Sequence, residues 1–116
     1  MLGDLNFVIL HVRDVAAART FYTNALELTV AAENPTFVQL QAASGATLAL
    51  QHDELAAPTG TIELWWQAQD VDTAFAQLQA RGVEIVSGPA DQPFGRTLSI
   101  KDPEGNVMAM YQPRPA

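Results

Sequence analysis

The chain has no cysteine among its 116 residues, which excludes disulfides, thiolate nucleophiles and zinc–thiolate centres. Basic residues are scarce, with six Lys and Arg against thirteen Asp and Glu and a net charge of −7. Those six (Arg13, Arg19, Arg81, Arg96, Lys101 and Arg114) are scattered along the chain and form no cluster. A face that holds nucleic acid concentrates positive charge against phosphate, so nucleic acid is excluded as a partner. Long apolar runs are missing too. No segment reaches the roughly 20 residues that a membrane span requires, and Met1-Leu2-Gly3-Asp4 lacks the regions of a signal peptide. The expectation is a cytoplasmic protein with no membrane partner. What is abundant is apolar content, 48% of the chain, enough for the core of one soluble domain.

Taken in order, Leu5-Asn6-Phe7-Val8-Ile9-Leu10-His11-Val12 is an almost continuous apolar run, the pattern of a strand covered on both faces. Asp14 is a good N-cap for a helix over Val15 to Leu26, where Val15, Ala18, Phe21, Tyr22 and Ala25 recur at helical spacing. Phe37 to Gln41 alternates as a strand, and Ala42-Ala43-Ser44-Gly45 turns into a second strand, Thr47 to Gln51. Glu54 to Gly60, rich in Ala, Pro and Gly, reads as a linker. Thr61 to Ala68 is again a strand. Asp70 caps a helix carrying Val71, Ala74, Phe75 and Leu78, and Gly82 terminates it. Val83 to Val86 is a short strand ended by Gly88-Pro89, and a strand over Arg96 to Ile100 leads into a closing hairpin. Asp102-Pro103-Glu104-Gly105-Asn106 supplies that hairpin's turn chemistry.

The second half of the chain echoes the first. Asp14-Val15 and Asp70-Val71 open equivalent helices at an offset of 56 (70 − 14). Ser44-Gly45-Ala46-Thr47-Leu48-Ala49-Leu50 echoes Glu104-Gly105-Asn106-Val107-Met108-Ala109-Met110 at an offset of 60 (105 − 45). Element order and turn spacing agree, and the inference is an internally repeated βαβββ unit, with module one at 1–56 and module two at 57–116 of a single domain.

Three stretches carry a family likeness. Phe21 to Leu28, following Val12-Arg13-Asp14, resembles the first-helix signature of the vicinal oxygen chelate superfamily, which holds glyoxalase I, bleomycin resistance proteins and extradiol dioxygenases; Glu27 stands where Gly is common. Asp70-Val71-Asp72 through Gly82-Val83 resembles its second-helix signature. Gly95-Arg96 followed by Asp102-Pro103-Glu104-Gly105-Asn106 resembles its closing hairpin. The resemblance implies an α+β fold of two tandem βαβββ modules whose curved mixed sheets form a cup, with the helices outside and a ligand cavity inside. In the catalytic members that the chain resembles, a divalent metal is held on the first and last strands of each module. Carried over, those ligand positions fall on Phe7, Ala49, Glu63 and Ala109. Phe and Ala bring no donor atom, and one carboxylate does not make a hard-metal shell, so the expectation is no metal and no cofactor.

Strand alternation assigns what lines the cup instead. Phe7, Ile9 and His11 share one face, with Val8, Leu10 and Val12 turned under the helix. Glu63, Trp65 and Gln67 face the cavity, with Ile62, Leu64, Trp66 and Ala68 behind. Thr47, Ala49 and Gln51 point inward, as do Val107, Ala109 and Tyr111, and Phe37, Gln39 and Gln41 join them. The candidates also have plainer, structural readings. Phe7 and Trp65 either stack on a ligand or fill the hollow. His11 is either a substrate contact or a hydrogen-bonded structural histidine. Glu63 needs a counter-charge from His11, Arg96 or a cationic ligand. Arg96 pairs with Glu63, meets an anionic ligand or lies exposed at a strand start. His52 and Asp53 adjoin the linker and read as solvated, with no role.

The expected ligand-binding residues are thus Phe7, His11, Phe37, Gln39, Gln51, Glu63, Trp65, Gln67, Arg96 and Tyr111, with no catalytic or metal residue assigned. The reading is a metal-independent small-molecule-binding protein, closest in character to the metal-free bleomycin resistance-like branch and sequestering an aromatic or cationic antibiotic or metabolite. The resemblance further implies a homodimer. The alternative is a lyase, isomerase or dioxygenase of the same superfamily, with a displaced metal site or metal-free acid–base work by His11 and Glu63.

Overall fold

The computed structural model describes residues 2–56, 61–101, 103 and 105–115. The elements are β1 (Asp4–Val12), α1 (Val15–Asn24), β2 (Thr29–Asn34), β3 (Phe37–Gln41), β4 (Thr47–His52), β5 (Thr61–Gln67), α2 (Val71–Ala80), β6 (Glu84–Gln92), β7 (Gly95–Lys101) and β8 (Val107–Pro113). This is an α+β arrangement in which the order strand, helix, three strands occurs twice.

The chain forms two compact units, one of Asn6–Glu63 and one of Met1–Leu5 with Leu64–Ala116. The boundary therefore passes through β1 and β5 and not through the linker after residue 56. The N-terminal residues go with the later unit because Leu2 packs on its core and Gly3 lies against β5. A Cβ at Gly3 would stand 2.8 Å from the Gln67 carbonyl oxygen.

In the Asn6–Glu63 unit the strand order is β2-β3-β4-β1, with β2–β3 and β3–β4 antiparallel and β4–β1 parallel. The later unit repeats this as β6-β7-β8-β5, antiparallel twice and then parallel. Gly45 and Gly105 occupy matching turns with φ of 93° and 87°, a left-handed conformation that favours glycine, and so set the same register for β4 and β8. Both sheets are mixed, and β2 and β6 are edge strands.

Each helix starts as the sequence predicts. Asp14 accepts a hydrogen bond from the Ala17 N–H at 2.9 Å, and Asp70 accepts from Asp72 and Thr73 at 3.0 and 3.1 Å. Each cap is worth about 1 kcal/mol. Alternation then decides the faces. Val38, Leu40 and Leu50, with Leu10, Val12 and Leu48, pack under Val15, Ala18 and Tyr22 of α1. Leu98 and Met110, with Trp66, Ala68, Ile85 and Ile100, pack under Val71, Ala74, Phe75 and Leu78 of α2. Among the described residues nothing accepts from the buried indole N–H of Trp66.

Several boundaries differ from the sequence reading. Helix α1 ends at Asn24 and not at Leu26. Strand β2 was not assigned from the sequence; it is an edge strand, exposed at five of its six positions, so it carries little hydrophobic pattern. Strand β6 does not end at Gly88-Pro89 but runs on to Gln92, with its pairing register shifted between Ile85 and Ala90. Ile62 is exposed and not packed behind its strand. Of the assigned linker, residues 57–60 lie outside the described residues, as do Asp102 and Glu104 of the closing turn. Among the described residues no helix is long and apolar enough to cross a membrane.

Glu27 has a φ of +61°, the left-handed region that costs a residue with a Cβ roughly 1–2 kcal/mol. Glu27→Gly is expected to raise stability by about 0.5–1 kcal/mol, part of the gain being offset by the entropy of the unfolded glycine. Urea denaturation checks this. An unchanged or lower midpoint would show that Glu27 is not strained.

Candidate functional site

The face of each sheet turned away from its helix holds the candidate residues. In the Asn6–Glu63 unit the register aligns His11 with Gln51 and Phe37, Ile9 with Ala49 and Gln39, and Phe7 with Thr47 and Gln41. Phe7, His11, Phe37, Gln39 and Gln51 therefore share one face, as expected. The Gln51 amide donates to the backbone oxygens of His52 and Thr36, at 3.1 and 3.4 Å.

His11 is the centre of an ion cluster. Its Nδ1 lies 3.1 Å from Asp53 Oδ2, and its Nε2 is hydrogen-bonded to Glu63 Oε2. Asp53 is fixed in turn. Its N–H donates to the Val12 carbonyl at 2.9 Å, and its Oδ1 accepts from the Leu55 N–H at 2.9 Å. Ala56 closes the turn through a 3.1 Å bond to the Asp53 carbonyl, and the Arg13 Nε donates to the Ala56 carbonyl at 2.8 Å. The His11 side chain is 20% exposed, those of Asp53 and Glu63 34% and 39%. Asp53 corrects the sequence reading: it is not merely solvated. A signal for it was present, since 47, 49, 51 and 53 continue one alternating face.

The hydrogen bond to Glu63 raises the His11 pKa above its ordinary 6.5; burial opposes this, and the bond to Asp53 adds to it. The Asp53 pKa is lowered from 3.8, first by the Leu55 N–H, against burial, and then by the His11 ring. A raised histidine pKa gives stability that is present below 6.5 and lost as pH rises through the folded value. A lowered carboxyl pKa gives stability that is present above 3.8 and lost as pH falls through the folded value. The cluster therefore contributes fully between these two pH values. Melting temperature followed against pH is expected to show wild type losing its advantage over His11→Gln as pH rises above 6.5. Parallel curves for the two proteins would contradict this.

In the later unit Trp65, Gln67 and Tyr111 come together as expected. The Trp65 and Tyr111 rings lie 5.9 Å apart, edge to face, and the Tyr111 hydroxyl donates to the Gln67 amide oxygen at 3.4 Å. Phe94, which the sequence reading missed, packs edge to face on Trp65 at 5.8 Å and is 53% exposed. It sits in the β6–β7 turn, where no periodicity marks it. Arg96 does not join this group. It shares the α2 face with Leu98 and donates to Asp72 through Nε and Nη2, at 3.0 and 3.1 Å, and to Asp91 through Nη1 at 2.9 Å. Those two carboxylates occupy it, in place of Glu63 or an anionic ligand.

The residues at the superfamily's metal positions do not fit a divalent ion. Phe7 has no donor, and Ala49 is a fully buried methyl group. Ala109 pairs with Ser99 and Trp65 in its sheet and has no donor either. Glu63 is engaged by His11, and Asp53 lies on the opposite ring nitrogen, so the two carboxylates do not converge on one ion. Among the described residues no group of three or more His, Asp or Glu is arranged to hold a metal.

Two βαβββ modules, each with a polar and aromatic face opposite its helix, define the class of fold. Residues 4–110 match the sequence model of the Glyoxalase/Bleomycin resistance protein/Dioxygenase superfamily, and the chain belongs to that superfamily. A Legionella pneumophila structure described as an NAD-dependent benzaldehyde dehydrogenase is 26% identical with a TM-score of 0.72, over 93% of this chain and 98% of that one. Methylmalonyl-CoA epimerase from Mycobacterium tuberculosis is 20% identical with a TM-score of 0.76, over 98% and 91%. An extradiol ring-cleaving dioxygenase from B. fuscum is 21% identical with a TM-score of 0.71, over 98% of this chain and 34% of that one. No curated protein matches the chain.

Proposed function

We propose that this chain is a metal-independent small-molecule-binding protein that sequesters an aromatic or cationic compound, an antibiotic or a metabolite. The observation that supports this reading best is the grouping of Trp65 and Tyr111, on the face of β5 and β8 turned away from α2, with half-exposed Phe94. Aromatic rings offer a large apolar contact to a planar ligand and an electron-rich face to a cation. The net charge of −7 favours a cationic partner over an anionic one.

The test is a thermal-shift screen of planar basic antibiotics and related amines, followed by calorimetry of each hit. A hit is expected to raise the melting temperature. Trp65→Ala is expected to weaken its binding at least about tenfold, as loss of a central aromatic anchor does. Arg96→Ala, on the other face, is expected to leave binding unchanged. No hit across the screen, or a Trp65→Ala protein that binds as well as wild type, would sink the proposal. Mass spectrometry that finds a hit converted to product would place the chain with the superfamily's lyases, isomerases or dioxygenases instead. The proposed working form is a cytoplasmic homodimer, for which light scattering should give twice the chain mass.

A further inference from the structure

We propose that in this chain an internal ion cluster, Asp53–His11–Glu63, engages the one carboxylate left at the superfamily's metal positions, with the His11 ring supplying from within the protein the positive charge that Glu63 faces. The proposal rests on the metal-independent reading and explains how the fold tolerates it.

Hydrogen-bond chemistry carries the argument. An ionised carboxylate only accepts, and His11 has a carboxylate at each ring nitrogen. Both nitrogens must therefore donate, and only the imidazolium has two N–H groups. Glu63, whose side chain is 39% exposed, has the His11 ring as its counter-charge. In a metal-holding relative that charge is a bound ion. Here it is a side chain from β1, and Asp53 keeps that ring turned towards Glu63.

Asp53 can do this because the Val12 carbonyl and the Leu55 N–H fix it from both sides at the end of β4. The other charged groups nearby are otherwise engaged. His52 lies 3.4 Å from Glu54, and Arg13 holds the Ala56 carbonyl. A divalent ion brought to Glu63 would meet an imidazolium already in contact with that carboxylate. It would gain no ligand from Phe7 or Ala49. Repulsion and a missing shell both act against it.

The full chain, treated with chelator and dialysed, is titrated with Zn²⁺, Ni²⁺ and Mn²⁺ chlorides while its melting temperature is followed. Untreated protein is analysed for metal content. His11→Gln, Glu63→Gln and the double variant are melted at pH 6 without metal. The expected results are no bound metal, no rise in melting temperature with any ion, and a lower melting temperature for each single variant. The double variant is expected to be no less stable than the weaker single one, because both changes break the same pair.

A metal-induced rise in wild type that Glu63→Gln abolishes would overturn both this proposal and the metal-independent reading. Additive losses, or a Glu63→Gln protein more stable than wild type, with no response to metal, would overturn this proposal alone. Nitrogen NMR of the His11 ring in the wild-type chain at pH 6 reads the same question without any variant. Two protonated ring nitrogens are expected, and a neutral ring would overturn the proposal.

Discussion

Gly95→Ala is expected to destabilise the protein by about 3 kcal/mol, combining backbone strain with a clash that the surroundings do not relieve. Gly95 has a φ of +155° and opens β7 opposite Pro113 of β8. A Cβ there would stand 2.2 Å from the Gln112 carbonyl oxygen and 3.1 Å from its carbon, both backbone atoms of a paired strand. Neither can turn away as a flexible side chain would. Gly45→Ala is the comparison. It shares a positive φ, but its Cβ would meet nothing within 4 Å, so strain alone should cost about 1 kcal/mol. Chemical denaturation of the two variants measures the difference. Equal losses would mean that the close approach of β7 and β8 at Gly95 does not matter. The Gly95-Arg96 pair of the closing-hairpin signature thus has a steric basis in its first residue.

Leu50→Ala is expected to cost about 3 kcal/mol, within the usual range for a buried leucine truncated to a methyl. Leu50 is fully buried on β4, in one cluster with Val15, Val38 and Leu40. Its neighbours lie on α1 and on the paired strand β3, whose backbone ladder keeps them from closing over the space left behind. Leu55→Ala is the control. That side chain is 91% exposed, and its loss should change stability by less than about 0.5 kcal/mol. Urea denaturation should show a lower midpoint for Leu50→Ala with an unchanged slope. A loss below about 1 kcal/mol would mean that the cluster repacks freely.

The elements whose signals are local were legible in the sequence. Asp14 and Asp70 cap helices because a short carboxylate reaches back to the first turn from a fixed sequence distance. Ala49 and Ala109 could be placed because each lies a fixed number of residues after a turn glycine, and the strand period of two then settles every neighbour's face. Leu10, Val12, Trp66 and Ala68 went to the helix side on that rule alone.

What escaped was tertiary or weakly patterned. The contact of Asp53 with His11 joins residues 42 apart in sequence. Phe94 reaches Trp65 only because a turn delivers it there. Strand β2 lies at an edge with little to bury, so hydrophobicity does not announce it. Arg96 is a different kind of miss. Its parity with Leu98 places it on the helix side of β7, where Asp72 supplies the carboxylate that it pairs with.

The period of two has one more consequence. Trp65 and Trp66 are the only tryptophans, adjacent in sequence and on opposite faces of one strand. The Trp66 indole, its N–H buried, sits against the α2 core, so its emission reports whether that core is assembled. The Trp65 indole sits among Phe94 and Tyr111, where a ligand would quench or shift it. The chain thus carries two built-in fluorophores, one for folding and one for the occupancy proposed above. Replacing Trp66 with Phe would leave an emission that reads the surroundings of Trp65 alone.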